Sequence, residues 1–210
     1  MTTMMQSYEI RAEARRLLNN NWATAVGTVF LMEMILAGAG SMAQIFLFLA
    51  WIPMLLVCGA VDLGLATFFI NLAEQERLIF EEGFSGFKNI VKAMGVTFFR
   101  GLFIFLWSLL LIVPGIIAAI RYSQAFFILK ENPEIPVMDA IKKSSEMMSG
   151  YKTDYFLLQL SFIGWGILCL LFTFGIGFLW LTPYVKTSNA VFYRELKKIR
   201  SEESESEATA

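Results

Sequence analysis

The sequence predicts an all-α fold, an integral membrane helical bundle, and three observations support this prediction. Hydrophobic residues make up 57% of the 210-residue chain, and the mean hydropathy is +0.60. Charged residues make up only 17%, and they gather between long apolar runs. Residues 96–129 are apolar apart from Arg100, Arg121 and a few neutral polar groups. About 20 apolar residues already span a bilayer, so such runs do not suit the core of a small soluble domain.

The chain begins with a predicted amphipathic helix over Ser7–Leu18. Its apolar stripe alternates with arginines, as in a helix that lies on a membrane surface, and we assign residues 1–21 to such an interfacial segment. We expect no cleavable signal and no lipid anchor, because neither a cleavage site nor a lipidation motif is recognisable. The stripe consists of Ile10, Ala14, Leu17 and Leu18.

The apolar runs are divided by turn residues, which predicts helical hairpins. Residues 22–71 are too long for one span and contain a glycine-rich stretch at 38–44. Pro114-Gly115 divides the second run, and Gly175-Ile176-Gly177 divides the third. The predicted spans are about 22–39, 48–71, 96–113, 115–129, 155–172 and 176–193.

Short amphipathic segments are predicted between the hairpins, on the cytoplasmic side. In residues 72–93, aromatic and aliphatic side chains recur at helical spacing at Phe80, Phe84, Phe87 and Ile90. A further helix should start at Pro136 and end near Gly150. Its apolar face would hold Val137, Ala140, Ile141, Ser144 and Met148. Residues 201–210 are acidic and predict a disordered tail.

The positions of the 17 lysines and arginines favour six spans over four. With four spans, Lys92 and Arg100 would lie on the opposite side of the membrane from Arg121 and Lys130. That arrangement violates the excess of positive charge on the cytoplasmic side. Six spans, paired as three hairpins within a single domain of residues 1–200, place all basic residues and both termini inside.

A weak internal repeat agrees with hairpins. The segment RYSQAFFIL, which begins at Arg121, aligns with KTSNAVFY, which begins at Lys186. The alignment pairs Ser123 with Ser188 and Ala125 with Ala190. GLATFFIN, which begins at Gly64, is a looser third copy. Chance similarity between apolar helices is the rival interpretation.

Three ionisable residues fall near the middle of predicted spans: Glu33, Asp62 and Arg121. A charge in hydrocarbon costs about 2.5–3.5 kcal/mol on insertion scales, so such residues suggest an intramembrane polar cluster. One interpretation is an ion or substrate pathway. The other is a buried ion pair that holds the helices together.

Other chemistry is not indicated. The chain has no histidine, which excludes Ser–His and Cys–His catalysis. No catalytic, cofactor-binding or metal-binding residues are predicted, and we expect no enzyme activity. Cys58 and Cys169 each stand alone in apolar runs and are interpreted as small hydrophobic residues. The net charge of −1 offers no basic field for nucleic acid.

Several segments together resemble a known family. They are EIRAEARRLLNNNW near the N-terminus, LLLIVPGIIAAIRYSQAFFIL in the middle, ENP before AIKKSSEMMSGYK, and LSFIGWGIL with GIGFLWLTPY near the end. In these residues the chain resembles the bacterial integral membrane proteins of domain-of-unknown-function family 975. More distantly, it is similar to the membrane domain attached to some glycerophosphodiester phosphodiesterases. The resemblance implies a multi-span protein of the bacterial cytoplasmic membrane, and it implies no activity and no site residues.

Two functions are therefore expected from the sequence. The first is a non-enzymatic membrane protein that acts in transport, sensing or envelope maintenance. The second is a membrane scaffold or partner-binding subunit that uses the cytoplasmic amphipathic segments. The lipid bilayer is the expected partner, and the sequence leaves open a protein partner or a homo-oligomer.

Overall fold

The computed structural model describes residues 4–45, 51–75, 80–173 and 175–208. All regular structure in these ranges is helical, which confirms the predicted all-α class. A 3-10 segment, Phe80–Asn89, lies between the third and fourth α-helices. The α-helices are α1 Ser7–Leu18, α2 Trp22–Ile45, α3 Trp51–Ala73, α4 Ile90–Leu110, α5 Ile112–Arg121, α6 Ala125–Glu131, α7 Val137–Met147, α8 Lys152–Thr173 and α9 Phe178–Ala208.

Helix α1 has the predicted bounds and buries the predicted stripe of Ile10, Ala14, Leu17 and Leu18. It begins where the Gln6 N–H donates a hydrogen bond to Glu9 Oε2 at 2.7 Å. This bond satisfies one of the backbone groups that a helix start leaves without a partner. The helix packs against α9 and α8.

Helix α3 is at the centre of the protein core. It contacts α2, α4, α6, α9 and the 3-10 segment, and its second half is almost entirely buried. Two glycines allow the 3-10 segment to approach it closely. The Gly64 Cα faces the carbonyl of Gly83, and the Gly86 Cα faces the carbonyl of Ala60, so a side chain at either glycine would collide with backbone.

Helices α4 and α5 form an antiparallel hairpin, so the chain does fold back near Pro114-Gly115. The reversal occurs at Leu111, which is extended with φ −164° and ψ 152°. Pro114 lies in the first turn of α5, where its missing N–H costs no hydrogen bond. Gly115 packs directly on Ser108 of the opposing helix, which leaves no room for a larger residue.

Helices α8 and α9 form another hairpin, and its turn includes Gly175 with φ +92°. Glycine populates this left-handed region without steric cost. Successive contacts pair the two helices along their length. Phe162 meets Tyr184 with ring centroids 5.2 Å apart, and Tyr155 meets Phe192 at 5.1 Å.

Two features of the helices differ from the sequence prediction. Helix α2 continues through residues 38–44, where a turn was expected, because a helix satisfies its own backbone within an apolar run. The predicted span 115–129 is interrupted at residues 122–124. There Ser144 Oγ of α7 accepts a hydrogen bond from the Gln124 N–H at 3.1 Å and donates one to the Arg121 carbonyl at 2.9 Å.

The C-terminal end also differs, because α9 extends to Ala208 where the acidic composition predicts a disordered tail. Local pairs support the helix. Arg200 Nη1 lies 2.7 Å from Glu203 Oε2, and the Arg200 guanidinium also binds the carbonyl of Met147. The extension thereby packs against the end of α7.

Helix α7 lies close to its predicted position. It starts after Pro136, and it buries Ala140, Ile141 and Ser144 as predicted. Gly150, with φ +86°, follows its end. The residues Lys142 and Lys143 face outward.

Five helical stretches in the described part of the chain are long and apolar enough to cross a membrane. Their composition indicates a membrane protein. The division into six spans stays a prediction.

Candidate functional site

A polar pocket lies where the hairpins meet. It has a volume of about 110 Å³, and its lining comes from α3, α4, the joint between α5 and α6, α8 and α9. The charged residues at its wall are Asp62, Arg100 and Lys186. The neutral polar residues are Ser123, Tyr155 and Asn189.

Two cations and one carboxylate face this pocket, so its formal charge is +1. Lys186 Nζ lies 3.8 Å from Asp62 Oδ1, a loose pair in which both side chains stay partly exposed. Among the ion pairs between described residues, none includes Arg100. Its guanidinium carbon stands 5.8 Å from the centre of the Phe126 ring. Arg100 therefore keeps its donors available to a ligand in the pocket.

The neutral side chains at the pocket wall are held by hydrogen bonds. Gln159 Nε2 on α8 donates to Asn189 Oδ1 on α9 at 2.6 Å, which fixes the orientation of Asn189. Gln124 Nε2 donates to Ser123 Oγ at 2.7 Å. The free lone pairs and protons of these groups can bind the polar part of a ligand.

An apolar groove of about 340 Å³ adjoins the polar pocket between α8 and α9. Lys186 lines both cavities. The groove is otherwise walled mainly by hydrophobic residues. They include Phe162, Ile163, Phe178, Leu181 and Val185. The two cavities together suit a molecule with an anionic end and an apolar tail.

The structure does not bring the three predicted ionisable residues together. Asp62 lies in the polar pocket, whereas Glu33 is exposed on α2. Arg121 lines a separate cavity of about 140 Å³ beside Trp107 and Pro114, and its buried Nε has no hydrogen-bond partner. Among the described residues, neither Glu33 nor Arg121 forms an ion pair.

Arg100 and Lys186 are pocket residues that the depth argument missed. From the sequence, Arg100 is used only to place the cytoplasmic side, and Lys186 lies inside the predicted span 176–193, where its charge is not singled out. The internal repeat does indicate Lys186, because it aligns this residue with Asp62 and Arg121. Asp62, Arg121 and Lys186 each precede by four residues a buried alanine, Ala66, Ala125 or Ala190. All three repeat copies contribute residues to the pocket wall.

The described residues contain no group of three or more His, Cys, Asp or Glu side chains that could hold a metal ion. Cys58 and Cys169 are free thiols and partly exposed. The expected contact face on α7 is turned inward, since Ala140, Ile141 and Ser144 pack against the rest of the protein. It offers no apolar surface to a partner at these positions.

The fold and the pocket define a class of protein, an all-helical bundle with membrane-compatible helices around a small polar site. The comparison with protein families then identifies the family. The chain matches the one described as "Protein of unknown function (DUF975)" over residues 4–119 and 109–200, and it belongs to that family. No curated protein and no solved structure matches. The more distant resemblance to the membrane domain of glycerophosphodiester phosphodiesterases is not shown by this match and stays a prediction.

Proposed function

We propose that this chain is a non-enzymatic protein of the bacterial cytoplasmic membrane that binds an anionic lipid, as a step in transport, sensing or envelope maintenance. The observation that carries the proposal is the position of Lys186, which lines both the polar pocket and the apolar groove. A lipid has the same two parts side by side. The proposal differs from both interpretations of Glu33, Asp62 and Arg121, the ion or substrate pathway and the buried ion pair, because these three residues line no common cavity among the described residues.

The polar pocket suits a phosphate-bearing headgroup. The guanidinium of Arg100 matches the geometry of phosphate oxygens and is free of an acidic partner among the described residues. Lys186 adds a second cation, which its loose pairing with Asp62 at 3.8 Å leaves able to reorient. Asp62 would limit the net attraction, so that the lipid can also leave.

The apolar groove suits an acyl chain. Binding sites for apolar groups are concave and lined by hydrophobic and aromatic side chains, with few polar groups that set the orientation. The groove between α8 and α9 has this composition, and its polar end is Lys186. A chain bound there would cover Phe162 and Leu181 and lie parallel to the lipids around the protein.

The distribution of charge supports a cytoplasmic orientation for both termini. Lysines and arginines occur in α1, in α7 and between Lys186 and Arg200 of α9. Contacts join these three helices, since Tyr184 donates to the Arg11 carbonyl and Arg200 to the Met147 carbonyl. Excess Lys and Arg mark the cytoplasmic side of membrane proteins. The family resemblance supports the bacterial assignment.

The test measures lipid retention by the purified protein. Wild type and variants are extracted in mild detergent from membranes that contain phosphatidylglycerol and phosphatidylcholine, and co-purified lipids are counted by native mass spectrometry. We expect wild type to retain phosphatidylglycerol preferentially. Arg100→Gln should reduce this retention about tenfold, because a charge-assisted hydrogen bond contributes ~1.5–3 kcal/mol.

Arg121→Gln is the matched control, since Arg121 is also an unpaired arginine on the α4–α5 hairpin but lines a different cavity. It should leave retention unchanged. Equal retention of both lipids by wild type, or an equal loss in both variants, would contradict the proposed site.

A further inference from the structure

We propose that the α4–α5 and α8–α9 hairpins enter the membrane from one side and end near its centre, so that each occupies a single leaflet instead of crossing twice. The surface concerned is the apolar tip of each hairpin, and its partner is the acyl-chain layer of that leaflet. This inference goes beyond the proposed lipid site, which needs only that the pocket and groove touch the membrane.

The length of the α4–α5 hairpin supports half-depth insertion. Residues 101–120, the 20-residue uncharged stretch between Arg100 and Arg121, comprise the second half of α4 and nearly all of α5. Two complete crossings need about 40 apolar residues. A limb of about ten residues rises ~15 Å, which is half of the ~30 Å hydrocarbon core.

Helix α7 packs at the base of this hairpin, and its polar outer face indicates where the membrane boundary lies. Ser144 Oγ of α7 donates to the Arg121 carbonyl at 2.9 Å, at the last residue of α5. The outer face of α7 carries the exposed residues Lys142 and Lys143. Since those charges must stay in water or headgroups, Arg121 lies at the membrane boundary. From there α5 extends nine residues to Ile112, a rise of ~14 Å.

The α8–α9 hairpin has an equivalent marker in α1. Tyr184 Oη on α9 donates to the Arg11 carbonyl at 3.3 Å. The neighbouring turn of α1 exposes Arg15 and Arg16. Phe178, the first residue of α9, lies six positions before Tyr184. Phe162 of α8, which faces Tyr184, lies 11 positions before the end of α8 at Thr173, so the hairpin rises ~17 Å above the contact.

The same position of the membrane boundary explains how α2 can carry the carboxylate of Glu33. Met32 and Thr28 of α2 face Gly83 of the 3-10 segment, whose sequence carries Glu81, Glu82 and Lys88. Glu33 directly follows Met32 in α2 and is exposed, so it lies at the level of this charged segment. A carboxylate at this position is at the polar edge of the membrane, and the high cost of a charge at the bilayer centre does not arise.

The tips themselves suit hydrocarbon better than a far interface. Residues 109–113 are Leu, Leu, Leu, Ile and Val, and their exposed fractions lie between 63% and 77%. At the other tip Leu170, Leu171 and Phe172 are 62–77% exposed. A bundle that crossed the bilayer would hold these apolar side chains in the opposite headgroup layer.

The depth of the tip can be measured with a spin label. Cys58 and Cys169 are replaced by alanine, a nitroxide is attached at Leu111→Cys, and the full chain is reconstituted into liposomes. Collision rates with oxygen and with a water-soluble nickel chelate then report depth. We expect high oxygen and low nickel accessibility, as at the bilayer centre. Nickel accessibility equal to that of a label on the α7 surface at Lys142→Cys would show that the tip emerges, and would overturn the proposal.

A charge at the tip provides a second test that needs no label. Leu111→Lys should lower the amount of protein in the membrane fraction at least about tenfold, because the lysine would lie at the depth where a charge is most costly. Val91→Lys is the matched control, since Val91 lies at the start of α4 and is 69% exposed, against 68% for Leu111. Equal membrane levels of both variants would overturn the proposal, because lysine is tolerated at a far interface.

Discussion

Helices α3 and α8 are similarly long and similarly apolar, yet they lie in opposite environments. Two thirds of the apolar stretch of α3, 67% of its residues, are buried inside the protein, compared with 11% for α8. Helix α3 is surrounded by α2, α4, α6, α9 and the 3-10 segment, whereas α8 presents Leu170, Leu171 and Phe172 to its surroundings. Apolar composition thus reports that a helix avoids water, and it does not report whether protein or lipid takes the place of water.

The difference predicts opposite responses to truncation, and Phe68→Ala should have the largest effect. Phe68 is fully buried and packs edge-on against Phe69 with ring centroids 5.2 Å apart. Its loss should lower the free energy of unfolding by ~3–5 kcal/mol, because a cavity remains. Leu171→Ala should change it by less than about 0.5 kcal/mol, since that side chain contacts lipid or detergent.

Thermal unfolding in detergent micelles, followed by circular dichroism, measures both variants. If Leu171→Ala destabilised the protein as much as Phe68→Ala, the tip of α8 would have a protein contact that the structure does not show.

Substitutions at two glycines test the same difference between buried and exposed positions, with expected effects of intermediate size. Gly86 packs on the carbonyl of Ala60, so Gly86→Ala forces the 3-10 segment away from α3 and should destabilise by ~1–3 kcal/mol. Gly101 on α4 has no neighbouring atom within 4 Å of an added Cβ. Gly101→Ala should therefore stabilise by up to ~1 kcal/mol, because alanine favours a helix.

Both glycine variants can be compared by the midpoint of thermal unfolding. A stabilising Gly86→Ala would mean that the 3-10 segment is free to move away from α3, and that the dense packing around α3 is less strict than the contact implies.

The smallest expected effect concerns an ion pair at the polar end of the molecule. The hydrogen bond from Arg16 to Glu13, 2.7 Å long, is the main cause that lowers the pKa of the Glu13 carboxyl, and the charges of Arg16 and Arg194 add to it. A lowered folded-state pKa stabilises the protein above the unfolded pKa of ~4.3. The contribution is lost as the pH falls through the folded pKa.

Because the Arg16 side chain is largely exposed, at 66%, the contribution of the pair should be only about 0.5 kcal/mol. Unfolding is measured at pH 7, 5 and 3.5 for wild type and Glu13→Gln. The variant should be less stable at pH 7 and should approach wild type at pH 3.5. A constant difference across this range would mean that the carboxylate charge does not contribute.

Much of the helical organisation could be predicted from local patterns. The stripe of α1 and the face of α7 appear at the predicted positions, because periodicity and the residues at helix ends act over a few neighbouring residues. The reversals at Leu111 and near Gly175 also follow from local proline and glycine chemistry. The continuation of α2 through residues 38–44 does not, because glycine permits a turn without requiring one.

The candidate site was predicted only in part. Asp62 was singled out by its depth in an apolar run, and it does lie in the polar pocket. Its neighbours Arg100 and Lys186 come from α4 and α9, 38 and 124 residues further along the chain. Depth along a helix constrains one coordinate of a side chain. The direction in which the side chain points depends on the rotation of each helix against the others, and packing sets that rotation.

The apolar runs, their charged borders and their turn residues were sufficient to indicate helical hairpins in a membrane, because each of these signals is local. The path of α3 through the core and the meeting of Asp62, Arg100 and Lys186 depend on contacts between distant segments. The same holds for the packing of α1 and α7 against the bases of the hairpins. Apolar helices have nearly equal affinity for lipid and for one another, so side-chain packing and a few hydrogen bonds choose their partners. Those interactions join residues far apart in the sequence, and local patterns carry no information about them.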